Sequence, residues 1–248
     1  MHDWIIPDWP APPSVKAILT TRKGGVSRNQ NGAYAELNLG DHVGDDLLLV
    51  QQNRALLHKY LPNDPYWLKQ VHGAKPIWVD KNEVTPQGDA ALSCCSGKVC
   101  AILVADCLPV FLCDTAGSVV GVVHAGWRGL SAGVIENSIA EMSRKGNEII
   151  AWLGPAIGPK HFEVGEEVRE VFLKQDSKSS SAFTLSHDSN KWFADLFTLA
   201  RLRLAEAGVT KVYGGNECTF SNPLRFYSYR RDGKTGRMAA LIWLTDTI

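Results

Sequence analysis

The sequence predicts an α+β fold, a single domain over residues 1–248 with mixed β-sheets and flanking helices. Three observations carry that expectation. Strand-like apolar runs come in blocks, with the helical patterns in separate blocks, which is not the alternation of a βαβ-wound sheet. The stretch Val99–Leu130 holds apolar runs broken by turn chemistry at Asp114-Thr115-Ala116-Gly117, with Val99–Cys107, Val110–Asp114 and Val119–His124 reading as strands. A chain of 248 residues that is 45% hydrophobic can bury a large core without dividing.

In chain order, residues 1–14 are rich in Trp and Pro and read as a surface segment. Val15–Thr20 reads as a strand and runs into the glycine loop Thr21–Ser27. That loop lacks the spacing and the Lys-Ser/Thr ending of a Walker loop. It is either a plain turn or a loop that aims Arg22 at a substrate. Asp45 and Asp46 precede an apolar-periodic segment from Leu47 to Tyr60, so a helix with acids at its positive end is expected. Tyr66–His72 and Lys75–Asp80 read as a pair of strands hinged at Gly73, with Gly88–Ser93 as a third. Ile135, Ile139 and Met142 are spaced for burial on one helix from Leu130 to about Arg144, stopped by Gly146. Ile149–Leu153 is a strand that enters a rigid loop, Gly154–Pro159, and Val164–Lys174 is a helix. The polar segment Lys174–Ser181 is expected to be a mobile insert. Phe193, Leu196, Phe197, Ala200 and Leu204 form the stripe of an amphipathic helix Lys191–Ala207, ended by Gly208. Lys211–Gly215, Leu224–Tyr229 and Met238–Leu244 are closing strands.

Charge and cysteine usage narrow the function. Lys plus Arg equals Asp plus Glu at 26 each, which argues against a protein that coats nucleic acid or binds membranes through a polybasic face. The N-terminus lacks the charged and apolar regions of a signal peptide, and no run approaches the roughly 20 apolar residues of a membrane span. Six cysteines without CxxC spacing fit neither a zinc ribbon nor a thioredoxin motif, and a chain this long needs no disulfide staples. A cytoplasmic protein acting on a small molecule, as a monomer or homodimer, is the expectation.

Two apolar runs end in residues an apolar strand has little reason to carry, Cys107 before Pro109 and His124 before Gly126. His72, in Gln70-Val71-His72-Gly73, is the third member of the set. Singly, a buried cysteine or a satisfied core histidine is the ordinary reading. Together the three are a His₂Cys ligand set for zinc with one position open for chemistry. Separations of 35 and 17 residues exclude a finger or knuckle. A zinc-bound water, with its pKa lowered to about 7, is a nucleophile at neutral pH. Copper is the competing ion, but its blue sites usually carry an axial Met, and Met1, Met142 and Met238 stand beside no ligand. Seven histidines with no His-x-His pair are too few for a multicopper centre. A metal-free Cys107–His124 dyad, acting as a thiol hydrolase, is the other rival. Asp106 either anchors the turn or, if the backbone bends, reaches the cleft beside Cys107. Arg54 is either solvated or substrate-facing, and Arg128 either takes an anionic group or caps a loop through a salt bridge. Cys94, Cys95, Cys100, Cys113 and Cys218 are assigned mostly to packing.

Gln70-Val71-His72-Gly73, Ala105-Asp106-Cys107-Leu108-Pro109, His124-Ala125-Gly126-Trp127-Arg128-Gly129 and Gly154-Pro155-Ala156-Ile157-Gly158 resemble the motifs of one family. It is described variously as multicopper polyphenol oxidase or laccase-domain proteins, as purine nucleoside phosphorylases and as peptidoglycan editing factor. The similarity runs over nearly the whole chain, from the Thr21–Ser27 loop to Tyr229-Arg230-Arg231-Asp232. The resemblance implies zinc at the residues matching His72, Cys107 and His124, with Cu²⁺ in older descriptions. It implies phosphorolysis of adenosine, inosine, guanosine and methylthioadenosine, with adenosine deamination. It also implies, for bacterial members, removal of L-Ser from UDP-MurNAc-L-Ser. The implied fold is similar to that of cytotoxic-necrotizing-factor-like cysteine hydrolases. On that basis His72, Cys107, His124 and Asp106 are the candidate catalytic residues. Arg54, Arg128 and Arg231 are candidates for phosphate, and Asn38 and Gln70 for sugar or base.

Overall fold

A strand that is apolar at every position needs cover on both faces. The computed structural model, which describes residues 2–28, 32–81, 86–188 and 190–246, shows how this chain provides it. A four-stranded sheet has the order β1 (Val15–Leu19), β13 (Met238–Leu244), β5 (Val99–Val104), β2 (Pro65–Trp67). A six-stranded sheet has the order β12 (Lys211–Gly214), β8 (Ile149–Leu153), β6 (Leu108–Asp114), β7 (Val120–Ala125), β4 (Ala90–Ser93), β3 (Pro76–Trp78). The pairs β2–β5, β3–β4 and β8–β12 are parallel and the other pairs of these two sheets antiparallel, so both sheets are mixed, as expected from the sequence.

Strand alternation sorts the side chains into three cores. Cys100, Ile102 and Val104 of β5 meet Phe111 and Cys113 of β6 between the two sheets. Ala101, Leu103, Leu241 and Trp243 face the other way, onto Leu37, Leu39 and Leu57 near α1 (Leu47–Leu56). Val110, Leu112 and Val123 pack on the outer side of the six-stranded sheet, under α3 (Val134–Glu141) and α5 (Leu196–Glu206). A small sheet, β10 (Phe183–Leu185), β11 (Lys191–Ala194), β9 (Glu163–Gly165), adjoins α4 (Glu166–Gln175) on that side.

Several sequence expectations are corrected. Tyr66–His72 and Lys75–Asp80 do not pair: β2 joins the first sheet and β3 the second, so the chain between them crosses from one to the other. The helix expected over Leu130–Arg144 is two, α2 (Trp127–Ser131) and α3, because Gly133 takes φ 86 and stops the first. The Lys191–Ala207 helix begins only at Leu196. Asp195 accepts from the Phe197 and Thr198 N–H groups as its cap, and Phe193 belongs to β11. Lys174–Ser181 is not a loose insert; Ser177–Ala182 is a 3₁₀ helix with Ser179 and Ala182 buried. Leu224–Tyr229 is turn rather than strand and leads into α6 (Tyr229–Asp232). Among the described residues no helix is long and apolar enough to cross a membrane.

Candidate active site

The two main sheets are joined where the chain passes from β5 to β6, interior strands of each, in three residues, Ala105-Asp106-Cys107. Asp106 takes φ 89 there, so the backbone bends and both Asp106 and Cys107 border one cavity. The Asp106 carboxylate accepts from Thr219 Oγ1 at 2.6 Å and the Arg230 N–H at 2.7 Å, which ties the C-terminal segment to the turn. The antiparallel β6–β7 register sets Pro109 opposite His124, and β4–β7 sets Ala90 opposite Val123. Cys107, His124 and Asp89 therefore meet at the same end of the sheet.

Asp89 organises that end. Its buried carboxylate accepts from the N–H groups of Val71 (3.1 Å), His72 (2.9 Å) and Gly73 (2.8 Å), and from His124 Nδ1 (2.9 Å). His72 sits at φ 59, a left-handed conformation that non-glycine residues adopt only when held. The Asp89 clamp is what holds it. With Nδ1 engaged by Asp89, His124 is left with Nε2 for a ligand. Burial would raise the Asp89 carboxyl, but the His124 hydrogen bond, the Gly73 and Val71 N–H groups and the His124 charge outweigh it and hold it below the usual range.

The donor chemistry fits a thiophilic ion. Burial alone would push the Cys107 thiol up, yet the charge and hydrogen bond of His124, with those of His72, bring it down to about 6. Burial would likewise lower His124, and the Cys107 thiolate with Asp89 raises it to about 9. The ligand atoms of His72, Cys107 and His124 all lie within 4.8 Å of one another. A Cβ at Gly126 would stand 2.8 Å from Cys107 Sγ and 3.5 Å from His72 Cδ2, so only glycine leaves that space open. Two imidazoles and a thiolate around a small gap are a three-ligand set for zinc. Among the described residues no group of potential ligands holds more than two imidazoles, Met142 and Met238 lie buried in the hydrophobic cores, and Met1 is outside the described residues.

The cavity above these groups measures about 480 Å³. Of the residues expected to bind substrate, Gln70 and Arg128 line it. The Gln70 amide is already engaged, donating to the Leu103 carbonyl and accepting from its N–H. Three others do not line the cavity. Asn38 is buried, with its amide bonded to Gly40, Asp45 and the Arg237 N–H. Arg54 donates to the Leu39 carbonyl, pairs with Asp41 at 3.1 Å and lies over the Trp67 ring. The Arg231 guanidinium is taken up by the carbonyls of Thr219, Phe220 and Phe226 and by Asp232. Arg22 likewise holds the carbonyls of Gly32, Ala35 and Pro223, so its loop is a turn. Cys100 and Cys113 are buried as expected, but Cys94 and Cys95 are exposed.

Sequence reasoning overlooked Asp89, Arg230, Arg237 and the aromatic walls Trp127, Phe162 and Tyr229. Asp89 stands at the head of an otherwise apolar buried strand, where sequence alone does not separate a buried acid from a solvent-facing one. Arg230 and Arg231 are neighbours in sequence, and nothing in Tyr-Arg-Arg-Asp shows which one turns inward. Burial lowers the Arg237 guanidinium, against the opposing charges of Cys107 and Asp106.

Comparison with known proteins bears on this site. A family model described as multi-copper polyphenol oxidoreductase laccase matches residues 16–245. A purine nucleoside phosphorylase of Pseudomonas aeruginosa is 48% identical over 246 residues, 99% of this chain and 100% of that one. The Escherichia coli purine nucleoside phosphorylase YfiH is 47% identical over 98% of this chain and 100% of its own length. Among solved structures, a Neisseria meningitidis protein superposes with a TM-score of 0.93 at 45% identity, covering 98% of this chain and 100% of that one. YlmD from Geobacillus stearothermophilus gives 0.89 at 30% identity, covering 98% and 96%.

Proposed function

We propose that this chain, which belongs to the family described as multi-copper polyphenol oxidoreductase laccase, is a purine nucleoside phosphorylase centred on His72, Cys107 and His124. One observation carries the reading. A cavity of nucleoside size combines that donor set with three arginines, Arg128, Arg230 and Arg237, and with the aromatic walls of Trp127, Phe162 and Tyr229. The names of the relatives support the same reaction class.

Phosphorolysis joins a phosphate oxygen to C1′ of the ribose and releases the purine. The site must hold an anion, seat a flat base and align the two. Arg128 has no carboxylate partner among the described residues, and its guanidinium lies 4.5 Å from the Trp127 ring, so it is available to phosphate. Arg230 is fixed at both ends: its N–H donates to Asp106 and its Nη1 to the Glu163 carbonyl at 2.8 Å. Asp106 serves as a positioning residue, since its two oxygens set Thr219 and Arg230. The aromatic walls stack the purine. Zn²⁺, when held by His72, Cys107 and His124, supplies a Lewis acid beside the reacting centre. Copper is less supported, because the site offers no methionine and no further imidazole cluster among the described residues. Adenosine, inosine, guanosine and methylthioadenosine are the proposed nucleosides. Adenosine deamination at the same centre is part of the reading, with no shuttle assigned beyond Asp106. Six free cysteines fit a cytoplasmic setting, and a monomer or homodimer is proposed.

One observation favours a second reading. Asp89, His124 and Cys107 stand in the order carboxylate, imidazole, thiol, which is the arrangement of a cysteine hydrolase. That chemistry suits removal of L-Ser from UDP-MurNAc-L-Ser. The two separate on product analysis of metal-quantified protein. Inosine should give hypoxanthine and ribose 1-phosphate only when phosphate is present. Release of serine from UDP-MurNAc-L-Ser, with no phosphate-dependent product from any purine nucleoside, would overturn the first reading in favour of the second.

A further inference from the structure

A second donor set lies at the far end of β4 from Asp89. β3 and β4 are parallel, with Pro76 opposite Ala90 and Trp78 opposite Leu92. Continued by two residues, that register brings Asp80 beside Cys94. The contacts are as follows: Asp80 Oδ1 accepts from Ser93 Oγ at 2.6 Å, and Oδ2 from the Cys94 N–H at 2.9 Å and from Cys94 Sγ at 3.4 Å. The Cys95 thiol lies against that of Cys94. The carboxylate oxygen and both sulfurs are all within 4.8 Å of one another. The backbone that carries the thiols is tied down. The Cys95 N–H donates to Ser93 Oγ at 3.1 Å, and the Gly97 N–H to the Leu244 carbonyl at 2.8 Å. Both cysteines are exposed, so an ion has access without opening the fold.

We propose that Asp80, Cys94 and Cys95 form a second metal site, for a thiophilic divalent cation such as Zn²⁺ or Cd²⁺. Tetrahedral zinc with ordinary bond lengths sets a sulfur and an oxygen ligand about 3.5 Å apart and two sulfurs about 3.8 Å apart. The 3.4 Å Asp80–Cys94 contact already matches the first of these edges. The pinned carboxylate is the pre-positioned donor. Two metal–sulfur bonds form as two thiol protons leave to solvent, and the fourth position is left to water. The strand between the two sets is Ala90–Ser93, so Asp89 and Cys94 stand about 16 Å apart and the ions would not share ligands. The site is independent of the proposed nucleoside chemistry.

The test counts metal on reduced, stripped full-length protein reloaded with Zn²⁺ or Cd²⁺ and desalted against a competing chromophoric chelator. Cys107→Ala protein should retain one equivalent and a cadmium–thiolate absorption band. Adding Cys94→Ser and Cys95→Ser should remove both. Asp80→Asn should weaken that equivalent about tenfold or more, because one of three protein donors loses its charge. A Cys107→Ala protein that retains neither ion nor band overturns the proposal. So does an Asp80→Asn protein of unchanged affinity, since that result describes a bare thiol pair. Unchanged thermal unfolding of each variant separates loss of a site from loss of the fold.

Discussion

Strand β4 has a cysteine site at each end, and the two ends treat a thiol in opposite ways. At its start, Asp89 touches His124 and His124 touches Cys107. At its finish, Asp80 touches Cys94 directly. Burial raises both thiols. Beside Cys107 the two imidazoles outweigh burial and bring the thiol to about 6. Beside Cys94 the Asp80 carboxylate and Cys95 add to burial, and the thiol reaches about 11. The exposed thiol is thus the one that keeps its proton at neutral pH in the absence of an ion. What makes a thiolate at neutral pH is the order of charges, carboxylate then imidazole then sulfur, rather than access to water.

The largest expected difference between the ends is structural. Asp89→Ala leaves three N–H groups and a buried imidazole without their acceptor and should cost about 3–5 kcal/mol in urea unfolding. Asp80→Ala loses two or three hydrogen bonds at a half-exposed corner and should cost about 1 kcal/mol. Equal losses would erase the contrast between an organising carboxylate and a local one. Next in size, Gly126→Ala places a methyl against Cys107 Sγ and should weaken metal binding about 10–100-fold, as changes that misplace ligands do. Its circular dichroism should be unchanged, and its second metal equivalent, at Asp80, should remain.

A pH series sharpens the comparison further. A thiolate appears as pH rises through the thiol's pKa. In metal-free protein the alkylation rate of Cys107 should therefore climb around pH 6 and be level by neutral pH. That of Cys94 should still be climbing at pH 10. Above about pH 9 His124 gives up its proton, and Cys107 keeps its charge without that counter-ion. Peptide mapping after brief iodoacetamide treatment reads both cysteines in one sample. Identical profiles would contradict the assigned order of charges. The smallest effect concerns the cavity wall. Arg128→Ala should raise KM for phosphate about tenfold, the worth of one charge-assisted hydrogen bond. Arg231→Ala should instead lower stability and leave that KM alone, since its guanidinium holds carbonyls.

Two of the three candidate ligands, Cys107 and His124, were legible because each closes an apolar run with a residue that packing does not ask for, and His72 was added as their third member. The continuous apolar runs of β5 to β7 also announced strands covered on both faces. Other features depend on contacts distant in sequence. Asn38 and Arg231 carry the polar groups of ligand-binding residues, but their partners, such as the Arg237 N–H and the Thr219 carbonyl, become neighbours only in the fold. The Lys191–Ala207 helix failed at Asp195, where a cap looked like one more polar position in an apolar stripe. Asp89 was missed because a lone acid at a strand edge reads as solvent-facing until four donors are seen to converge on it.

The central claim is that His72, Cys107 and His124 share one ion and one reaction. The most direct measurement is bound metal and phosphate-dependent inosine turnover, taken together on Cys107→Ala and on His72→Ala. Both variants are predicted to lose one equivalent of metal and the turnover with it, while remaining folded. Full turnover in either variant after that equivalent is gone would contradict the claim.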